Sequence, residues 1–473
     1  KAFQDTASSP SSLCAARCGL AYHALSPGIK SVAKQTDCCK AYTQSLFKGR
    51  RTCVRIPKKW WPQDWHDKGF INPVCPLVYN LYGHPQAGNG WEKHLENLLI
   101  TEGGFQAVAN WNSVFFNPET KLLIIAYVDD LIVLGPEAES DKLFARLKAG
   151  NLEFDPPEDV SKYLGCRHTI KTDAVGVTSV EFKMQDFITS ACEDFAKEAN
   201  HQFSNVDTPY PPTLSNAEFV KSCALPGRFS DNCAHFLMKL LWGARSSRPD
   251  LFVPITRLAS HISKWSAECD RRLIRLFDYC NCHADLQMEG SLSSADWDCV
   301  EIIAWPDADL GGDGFCTKST SGRFIELRGA NGRIFPLMWS SHKQSSTSLC
   351  TTEAELVSLR DCLKCDAIAI QQLFAMLLNR PVTLRVMKDN TAAITDVEKG
   401  YTPAMRQIKR TQKLCLGFLK ELIHGPQDPV AGPILLEYSP TDVHKGDAFT
   451  KELETAAKFL KGKEMIGLVR PRA

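Results

Sequence analysis

The chain has 473 residues, too many for one small domain and enough for two or three. Apolar residues make up 44% and charged residues 23%, which excludes a disordered or fibrous chain, and no apolar run reaches the roughly 20 residues that a membrane helix needs. Lys and Arg number 55 against 54 Asp and Glu, so the formal charge of +1 lacks the basic excess of many nucleic-acid-binding proteins. Any positive charge that contacts nucleic acid must therefore be local. The nineteen cysteines lack the regular spacing of a disulfide scaffold and predict free, reduced thiols.

The first two thirds of the chain divide into two patterned regions and a break. Residues 31–170 alternate apolar, strand-like runs with helical stretches. The Pro-rich segment Asn205–Thr213 predicts an extended linker. Two segments beyond it, His235–Trp242 and Leu258–Leu276, have apolar residues at helical spacing and predict helices packed on a neighbour.

The last third has the clearest pattern. Its predicted strands lie at Glu301–Trp305, Gly322–Leu327, Arg333–Trp339, Val382–Met387 and Pro433–Tyr438. A long helix is predicted over Thr352–Leu378, a short one after Asn390, another near Met405–Leu422 and a last one after Gly446. The order β-β-β-α-β-α-α-β-α predicts one mixed sheet with helices on its faces.

A pair of adjacent acids marks the first candidate site. Asp129 and Asp130 separate two apolar runs within Lys121–Gly135, and burying two such acids is costly unless they are paired or ligated. A hairpin would place them at its tight end, and Asp37 ends another predicted strand. Three carboxylates brought together could hold two Mg²⁺ ions for phosphoryl transfer. The alternative is that Asp129-Asp130 is simply a polar turn.

A second set of acids lies on the predicted C-terminal sheet. Asp307 is at the end of the first strand, Glu353 is in the first turn of the long helix, Asp389 follows the fourth strand and Asp447 comes near the end. The first and fourth strands can be neighbours, so these side chains could meet at one edge and hold two divalent ions for phosphodiester hydrolysis. The alternative is an ordinary solvated acidic surface.

The motifs around both sets resemble those of copia-type long-terminal-repeat retrotransposons. The first set, similar to the family's reverse transcriptase, comprises Asp37-Cys-Cys-Lys-Ala-Tyr42, Leu81-Tyr-Gly-His-Pro-Gln-Ala87, Tyr127-Val-Asp-Asp130, Lys162-Tyr-Leu-Gly165 and Ser247-Arg-Pro-Asp-Leu251. The second, similar to its RNase H domain, comprises Trp305-Pro-Asp-Ala-Asp-Leu-Gly-Gly-Asp313, Lys318-Ser-Thr-Ser-Gly322, Trp339-Ser-Ser-His-Lys-Gln344, Thr351-Thr-Glu-Ala-Glu-Leu356, Lys388-Asp-Asn-Thr-Ala-Ala-Ile394 and Gly446-Asp-Ala-Phe-Thr-Lys-Glu-Leu453.

The resemblance implies specific roles. It implies that Asp37, Asp129 and Asp130 bind the polymerase metals, that Tyr42 excludes a ribose 2′-OH, and that Gln86 lines the nucleotide site. For Tyr42 and Gln86 the alternative is ordinary packing. The RNase H acids correspond to Asp307, Glu353, Asp389 and Asp447, which are expected to bind two Mg²⁺ ions, with Mn²⁺ as an alternative. Asp309 and Glu355 each lie two residues from one of these acids and are the alternatives if the motif is misaligned. His444 matches no family histidine and is expected to be an exposed loop residue.

Two basic clusters are candidates for contact with nucleic acid. The first combines a basic run with paired indoles, which suits phosphate contact plus base stacking, and comprises Lys48, Arg50, Arg51, Arg55, Lys58, Lys59, Trp60 and Trp61. The second is predicted to lie on one helix facing a hybrid duplex and comprises Arg406, Lys409, Arg410 and Lys413. For the first cluster, an ordinary solvated loop is the alternative.

The resemblance implies a multidomain α+β and α/β protein. The expected domains are a fingers remnant and a polymerase palm-like α+β domain over residues 1–200, a linker and helical thumb or connection over 201–298, an RNase H-like mixed sheet with flanking helices over 299–462, and a tail over 463–473. The fingers strands that normally precede the Asp37 block are not recognisable, so we expect an N-terminally truncated fragment.

The expected function is RNA-directed DNA polymerisation with RNase H activity. The expected partners are RNA template, DNA primer, RNA–DNA hybrid and deoxynucleotide triphosphates, with no membrane, in cytoplasmic particles with later nuclear access. The missing fingers weaken the polymerase expectation more than the RNase H one. The alternatives are RNase H activity alone and a degenerate or co-opted, non-catalytic nucleic-acid-binding remnant.

Overall fold

The computed structural model describes residues 7–26, 30–312, 316–453 and 455–471, so Asp313 of the Trp305 motif lies outside the described residues. The chain forms two compact units, the first with residues 1–19 and 29–160 and the second with residues 20–28 and 161–473. The division therefore falls at residue 160, whereas the sequence predicted a domain boundary at residue 200. No helix among the described residues is long and apolar enough to cross a bilayer.

The first unit is built on one antiparallel sheet. Its elements are α1 (Leu13–Leu25, grouped with the second unit from Leu20 onward), β1 (Ser31–Asp37), α2 (Ala41–Gln44), β2 (Cys53–Val54), α3 (Gln63–Asp67), β3 (Cys75–Pro76), α4 (Ala87–Thr101), β4 (Gln106–Ala107), β5 (Val114–Asn117), β6 (Leu122–Tyr127), β7 (Asp130–Pro136), α5 (Glu137–Ala149) and β8 (Glu158–Asp159). The main sheet has the order β4-β5-β6-β7-β1-β8, and β2 pairs with β3.

The central strands β6 and β7 are buried on both faces. The cluster of buried side chains that packs one face of the sheet includes Trp91 and Leu95 of α4 and Leu143 of α5. On the other face, a Cβ atom added at Gly19 of α1 would lie 2.6 Å from Ile125 Cδ1, so α1 packs closely on this side of the sheet. Burial on both faces explains why these strands read as continuous apolar runs instead of alternating ones.

The second unit contains two five-stranded sheets and a group of helices. Its elements are β9 (Lys162–Tyr163), β10 (Cys166–Thr172), β11 (Val177–Lys183), α6 (Gln185–Ala199), α7 (Asn216–Ala224), α8 (Cys233–Ser246), α9 (Phe252–Ala259), α10 (Ala267–Cys282), β12 (Gln287–Ser293), β13 (Glu301–Asp309), β14 (Thr320–Arg328), β15 (Ile334–Lys343), α11 (Thr351–Cys362), α12 (Ile368–Leu378), β16 (Leu384–Lys388), α13 (Thr391–Lys399), α14 (Ile408–Thr411), α15 (Leu416–His424), β17 (Ile434–Tyr438), α16 (Ala456–Met465) and β18 (Leu468–Val469).

The first of these sheets, β18-β12-β11-β10-β9, joins parts of the chain that the predicted domains had kept apart. Strand β11 pairs along its whole length with β12, more than a hundred positions later. Strand β18 pairs with β12 in turn, so the predicted tail of residues 463–473 contributes a strand. Backbone pairing over such distances leaves no local pattern, which is why the boundaries at 200, 298 and 462 do not coincide with the observed units.

The second sheet has the predicted mixed topology. Strands β13, β14 and β15 are antiparallel, whereas β16 lies parallel to β13 and β17 lies parallel to β16, in the order β15-β14-β13-β16-β17. The predicted long helix is continuous from α11 to α12 through a π-helical turn at Leu363–Ala367. The predicted α+β class and the adjacency of the first and fourth strands are confirmed.

Two predicted helices are wrong in extent. The predicted helix over Leu258–Leu276 is broken between α9, which ends at Ala259, and α10, which begins at Ala267. The predicted helix near Met405–Leu422 is divided into the short α14 and the separate α15. In both cases the apolar positions keep helical spacing across an interruption, because short helices can turn their apolar residues toward the same core without being continuous.

Candidate active sites

The first acid site lies at the closed end of the β6–β7 hairpin. Tyr127 pairs with Asp130, so Val128 and Asp129 form the two-residue turn, and Asp37 faces Asp130 across the β1–β7 ladder. The backbone N–H of Cys38 donates to the Asp129 carbonyl at 2.9 Å. The structure therefore places Asp37, Asp129 and Asp130 on adjacent strand ends.

The turn carries backbone strain that a buried tryptophan stabilises. Val128 has a φ of 61°, a left-handed conformation that is unusual for a β-branched residue and costs on the order of 1–3 kcal/mol. The indole N–H of Trp91 donates to the Val128 carbonyl at 2.6 Å, and Trp91 is anchored in the core on α4. The hydrogen bond holds Asp129 at the tip of the hairpin.

The three acids repel one another. Burial and then the charges of Asp129 and Asp37 raise the pKa of Asp130 to about 6, and burial followed by Asp129 and Asp155 raises the pKa of Asp37. Raised carboxyl pKa values indicate that a cation at this turn would be favourable. Among the described residues, however, these acids do not bring three ligand atoms within 4.8 Å of one another, as those of the second site do.

The two residues predicted to bind the nucleotide lie in different surroundings. Tyr42 packs on Tyr82 with ring centroids 4.6 Å apart and lines the same cavity as Val128 of the acidic turn. Burial, followed by the charge of Asp129, raises the pKa of its phenol. Gln86 occupies the position before α4 and lines a cavity of about 420 Å³ that also includes Lys48 and Lys93. The described lining of that cavity does not include Tyr42 or the acids.

The first basic cluster is presented to solvent. Its six Lys and Arg side chains are all exposed, and Trp60 is 70% exposed with the Lys59 ammonium 5.6 Å from its ring. Trp61 differs, because its indole N–H donates to the Ile56 carbonyl at 2.9 Å and its ring packs edge-on against Trp65. Of the predicted pair of stacking indoles, Trp60 is available and Trp61 is built into the local fold.

The second basic cluster does not lie on one helix. Helix α14 covers only Ile408–Thr411, so Arg406 precedes it and Lys413, with a φ of 51°, lies beyond its end. The helix stops where Gln412 turns inward to donate to Glu353 at 3.0 Å. All four basic side chains are nevertheless exposed.

The second acid site lies where the strands β13 and β16 end side by side. Asp307 is in β13, Asp389 directly follows β16, Glu355 projects from α11, and Asp447 is in the 3₁₀ turn Lys445–Phe449. Ligand atoms of Asp307, Glu355 and Asp389 lie within 4.8 Å of one another, and so do those of Asp307, His444 and Asp447. Asp307 is fully buried and belongs to both groups, so it is the centre of the site.

The prediction of Glu353 as a ligand is wrong. Its carboxylate accepts hydrogen bonds from the Leu349 N–H and the Gln412 side chain, each at 3.0 Å, and so caps the start of α11 away from the acid cluster. Two residues along an α-helix correspond to a rotation of about 200°, so Glu355 points toward the opposite side and reaches the cluster. Asp309, the other neighbour considered, is held by the Arg257 guanidinium at 3.2 Å.

The sequence reasoning missed two lysines in this site. The Lys388 ammonium is buried, donates to the Pro306 carbonyl at 2.9 Å and pairs with Glu355. The Lys451 ammonium pairs with Asp447 at 2.5 Å and lies 3.8 Å from Asp307. The signals were present, since Lys388 directly precedes Asp389 and Lys451 follows Asp447 by one helical turn.

These charges set the protonation of the acids. Burial opposes ionisation of Asp307, but Lys451 and Lys388 hold its pKa below the usual value. Burial, moderated by Lys388, raises the pKa of Glu355 to about 7, and burial followed by Asp307 raises the pKa of Asp447 to about 6. The site therefore contains one acid that stays ionised beside two that are easily protonated without a further cation.

His444 is not the exposed loop residue that the sequence predicted. It is fully buried, its Nε2 lies 3.0 Å from the Met387 carbonyl, and its ring packs edge-on against Trp305. The charged neighbours in Thr441–Lys445 make this segment look like a solvated loop, yet the segment folds back over the sheet and carries the histidine into the acid cluster.

Sequence comparison finds relatives among retrotransposon polyproteins. The chain is 25% identical over 309 residues to the retrovirus-related Pol polyprotein from transposon RE1 of Arabidopsis thaliana, covering 63% of this chain and 19% of that protein. It is 23% identical over 347 residues to the transposon Ty1-GR3 Gag-Pol polyprotein of Saccharomyces cerevisiae, covering 69% of this chain and 18% of that protein. The chain thus spans less than a fifth of the length of these relatives. The matches confirm the resemblance to copia-type retrotransposon polyproteins that the motifs predict.

The chain was also compared with family models and with solved structures. No family model matches the chain. Among solved structures, the foamy viral protease-reverse transcriptase in complex with RNA/DNA hybrid aligns with a TM-score of 0.44 and 15% identity, covering 92% of this chain and 46% of that one.

Proposed function

We propose that the chain is the reverse transcriptase and RNase H portion of a copia-type polyprotein, and that the second unit hydrolyses the RNA strand of an RNA–DNA hybrid. The observation that carries the proposal is the meeting of Asp307, Glu355, Asp389 and Asp447, which come from four separate segments of one sheet and its helices. Acids that converge from distant parts of a chain are not an ordinary solvated surface.

The residues present fit divalent metal ions. The donors are carboxylate oxygens, which Mg²⁺ prefers, and Asp307 Oδ1 is buried with no hydrogen-bond partner among the described residues. When bound, two such ions would activate an attacking water and stabilise the leaving oxygen. Asp307, Glu355, Asp389 and Asp447 would hold them, while Thr450, whose hydroxyl donates to Asp307, orients the central acid.

The first unit is the proposed polymerase site. Asp37, Asp129 and Asp130 would bind the metal ions that act on a primer 3′-OH and an incoming deoxynucleotide triphosphate. Tyr42 is proposed to stand against the ribose 2′-OH, which is supported by the cavity that it lines together with Val128 of the acidic turn. RNA template and DNA primer are the proposed macromolecular partners.

Hybrid cleavage and primer extension test the two halves separately. With Mg²⁺, the intact chain should cleave the RNA of a labelled hybrid, and Asp389→Asn should abolish this cleavage while Glu398→Gln, which removes a nearby exposed acid, should not. Asp130→Asn should abolish primer extension, with the exposed Asp141→Asn as its control. Cleavage without extension would favour an RNase H alone, and binding of hybrid without either activity would favour a non-catalytic remnant.

Trp60 should contribute to single-strand binding. Trp60→Ala is expected to weaken binding of a fluorescent single-stranded oligonucleotide by about tenfold, because base–aromatic stacking contributes on the order of 1–3 kcal/mol per base. Ile71→Ala, which removes a side chain that is 85% exposed from the same region, should leave the anisotropy titration unchanged. An equal loss in both variants would contradict a stacking role for the indole.

A further inference from the structure

One buried histidine of the second acid site has no role in the proposed hydrolysis. His444 is 0% exposed, and its Nε2 is 3.0 Å from the Met387 carbonyl. A carbonyl only accepts, so Nε2 carries the proton and Nδ1 of the neutral ring is left as a lone-pair donor. Within the described residues, Nδ1 has no hydrogen-bond partner.

The ring is fixed so that Nδ1 faces the acids. Packing against Trp305 and the bond to Met387 set its orientation. A Cβ atom built at Gly446 would lie 2.9 Å from His444 Nδ1 and 2.6 Å from Asp307 Cβ, so both side chains border the same small space. Ligand atoms of Asp307, His444 and Asp447 lie within 4.8 Å of one another. With Nε2 engaged by Met387, Nδ1 is the nitrogen available to that group.

Two buried atoms in this space lack partners. Asp307 Oδ1 and His444 Nδ1 are both acceptors, so neither can satisfy the other. A buried polar atom without a hydrogen-bond partner is destabilising and calls for an explanation such as a bound ion. A cation between them would satisfy both.

The two overlapping groups of ligands differ in the lysine ammonium that already pairs with one of their acids. Glu355, in the all-oxygen group with Asp307 and Asp389, pairs with the fully buried Lys388 ammonium. Lys451, which pairs with Asp447 in the histidine-containing group, is 36% exposed and can withdraw into solvent. An entering ion therefore meets less competition beside His444.

We propose that Asp307, His444 and Asp447 form a mixed nitrogen–oxygen site that binds Mn²⁺ in preference to Mg²⁺. Imidazole nitrogen suits first-row transition ions, whereas Mg²⁺ favours oxygen ligands. The inference rests on the proposed function only in that it names the ion for one of the two metal positions of the hydrolytic site.

Pulsed electron paramagnetic resonance of Mn²⁺ bound to the intact chain tests this directly. The Mn²⁺ echo should be modulated by an imidazole ¹⁴N, and the modulation should be lost in His444→Gln. Calorimetric titration should show that His444→Gln weakens Mn²⁺ by about tenfold or more while Mg²⁺ changes by less than about threefold. His283→Gln is the matched control, since this half-buried histidine also bonds a backbone carbonyl, that of Val206 at 3.0 Å.

Several outcomes would overturn the inference. These are wild-type protein without ¹⁴N modulation, modulation that persists in His444→Gln, and equal losses of Mn²⁺ and Mg²⁺ affinity. Should His444→Gln not fold, the wild-type spectrum with ¹⁵N-histidine labelling still decides. Hybrid cleavage with Mg²⁺ but without nitrogen coupling would support the proposed function and refute this inference. Nitrogen coupling without cleavage would support this inference and refute the proposed hydrolysis.

Discussion

Glu355→Gln is expected to lower hybrid cleavage by at least about 100-fold, the upper end of the loss seen when only an outer partner of a metal site is removed. The cleavage rate of Glu353→Gln should stay within about threefold of the wild-type rate, below the loss expected for a residue that supports the metal site. Its carboxylate caps α11 and does not reach the acid cluster. Initial rates on a labelled RNA–DNA hybrid at saturating Mg²⁺ would measure both variants. The reverse ranking would show that the helix is in another rotational phase.

The comparison needs a check on folding. Glu355→Gln leaves the buried Lys388 ammonium without its counter-charge, and such a loss costs about 3–5 kcal/mol. The double variant Glu355→Gln with Lys388→Met removes both charges, so it should recover stability but not cleavage. Activity that returned in the double variant would assign Glu355 a structural role only.

Asp250→Asn is expected to lower the free energy of unfolding of the second unit by about 3–5 kcal/mol, because it leaves a buried guanidinium unpaired. Arg248 is fully buried and bonds both carboxylate oxygens of Asp250, at 3.0 and 2.8 Å, and the Tyr279 hydroxyl donates to the same carboxylate at 2.7 Å. Hydrogen exchange of the α8 and α10 amides during a urea titration would measure the loss. The Ser247–Leu251 motif, which follows α8, thus has a structural explanation in this network.

Two controls separate the buried pair from surface charge. Asp186→Asn breaks the ion pair between Arg167 and Asp186, whose side chains are 65% and 71% exposed, respectively. This substitution should lower the free energy of unfolding by less than about 1 kcal/mol. Lowering the pH should reduce the free energy of unfolding of the second unit, as Asp250→Asn does. Although burial opposes ionisation, Arg248 holds the pKa of Asp250 below its usual 3.8, so the contribution is present above that value and is lost as the pH falls through the lower folded pKa. Equal effects of the two substitutions would contradict a dominant buried pair.

Local features of the fold follow the sequence closely. The hairpin around Asp129 and Asp130 was predictable because its strands are joined by a two-residue turn, so the pattern and the pairing lie in one short segment. The C-terminal order of strands and helices was predictable for a similar reason, since each element keeps its own period. The adjacency of Asp307 and Asp389 then followed from the parallel pairing of the strands that precede them.

The details of the second site were less accessible. A sequence does not state the rotational phase of a helix to within one residue, so Glu353 and Glu355 could be distinguished only when α11 was packed on the sheet. Lys388 and His444 lie in segments whose charged residues suggest solvent exposure. Their burial depends on ion pairs and hydrogen bonds to distant residues, among them Glu355, which no local pattern reveals.

The length of the chain indicated more than one domain, and the order of its motifs determined the resemblance and the approximate places of both acid sets. Its near-neutral charge also required that any positive charge be local, and the exposed basic cluster beside Trp60 meets that requirement. Only the tertiary structure decided which acids converge, that His444 joins them, and where the two units divide. The physical reason is that pattern and propensity act over a few residues, whereas burial, ion pairing and the β11–β12 ladder join residues far apart in the chain.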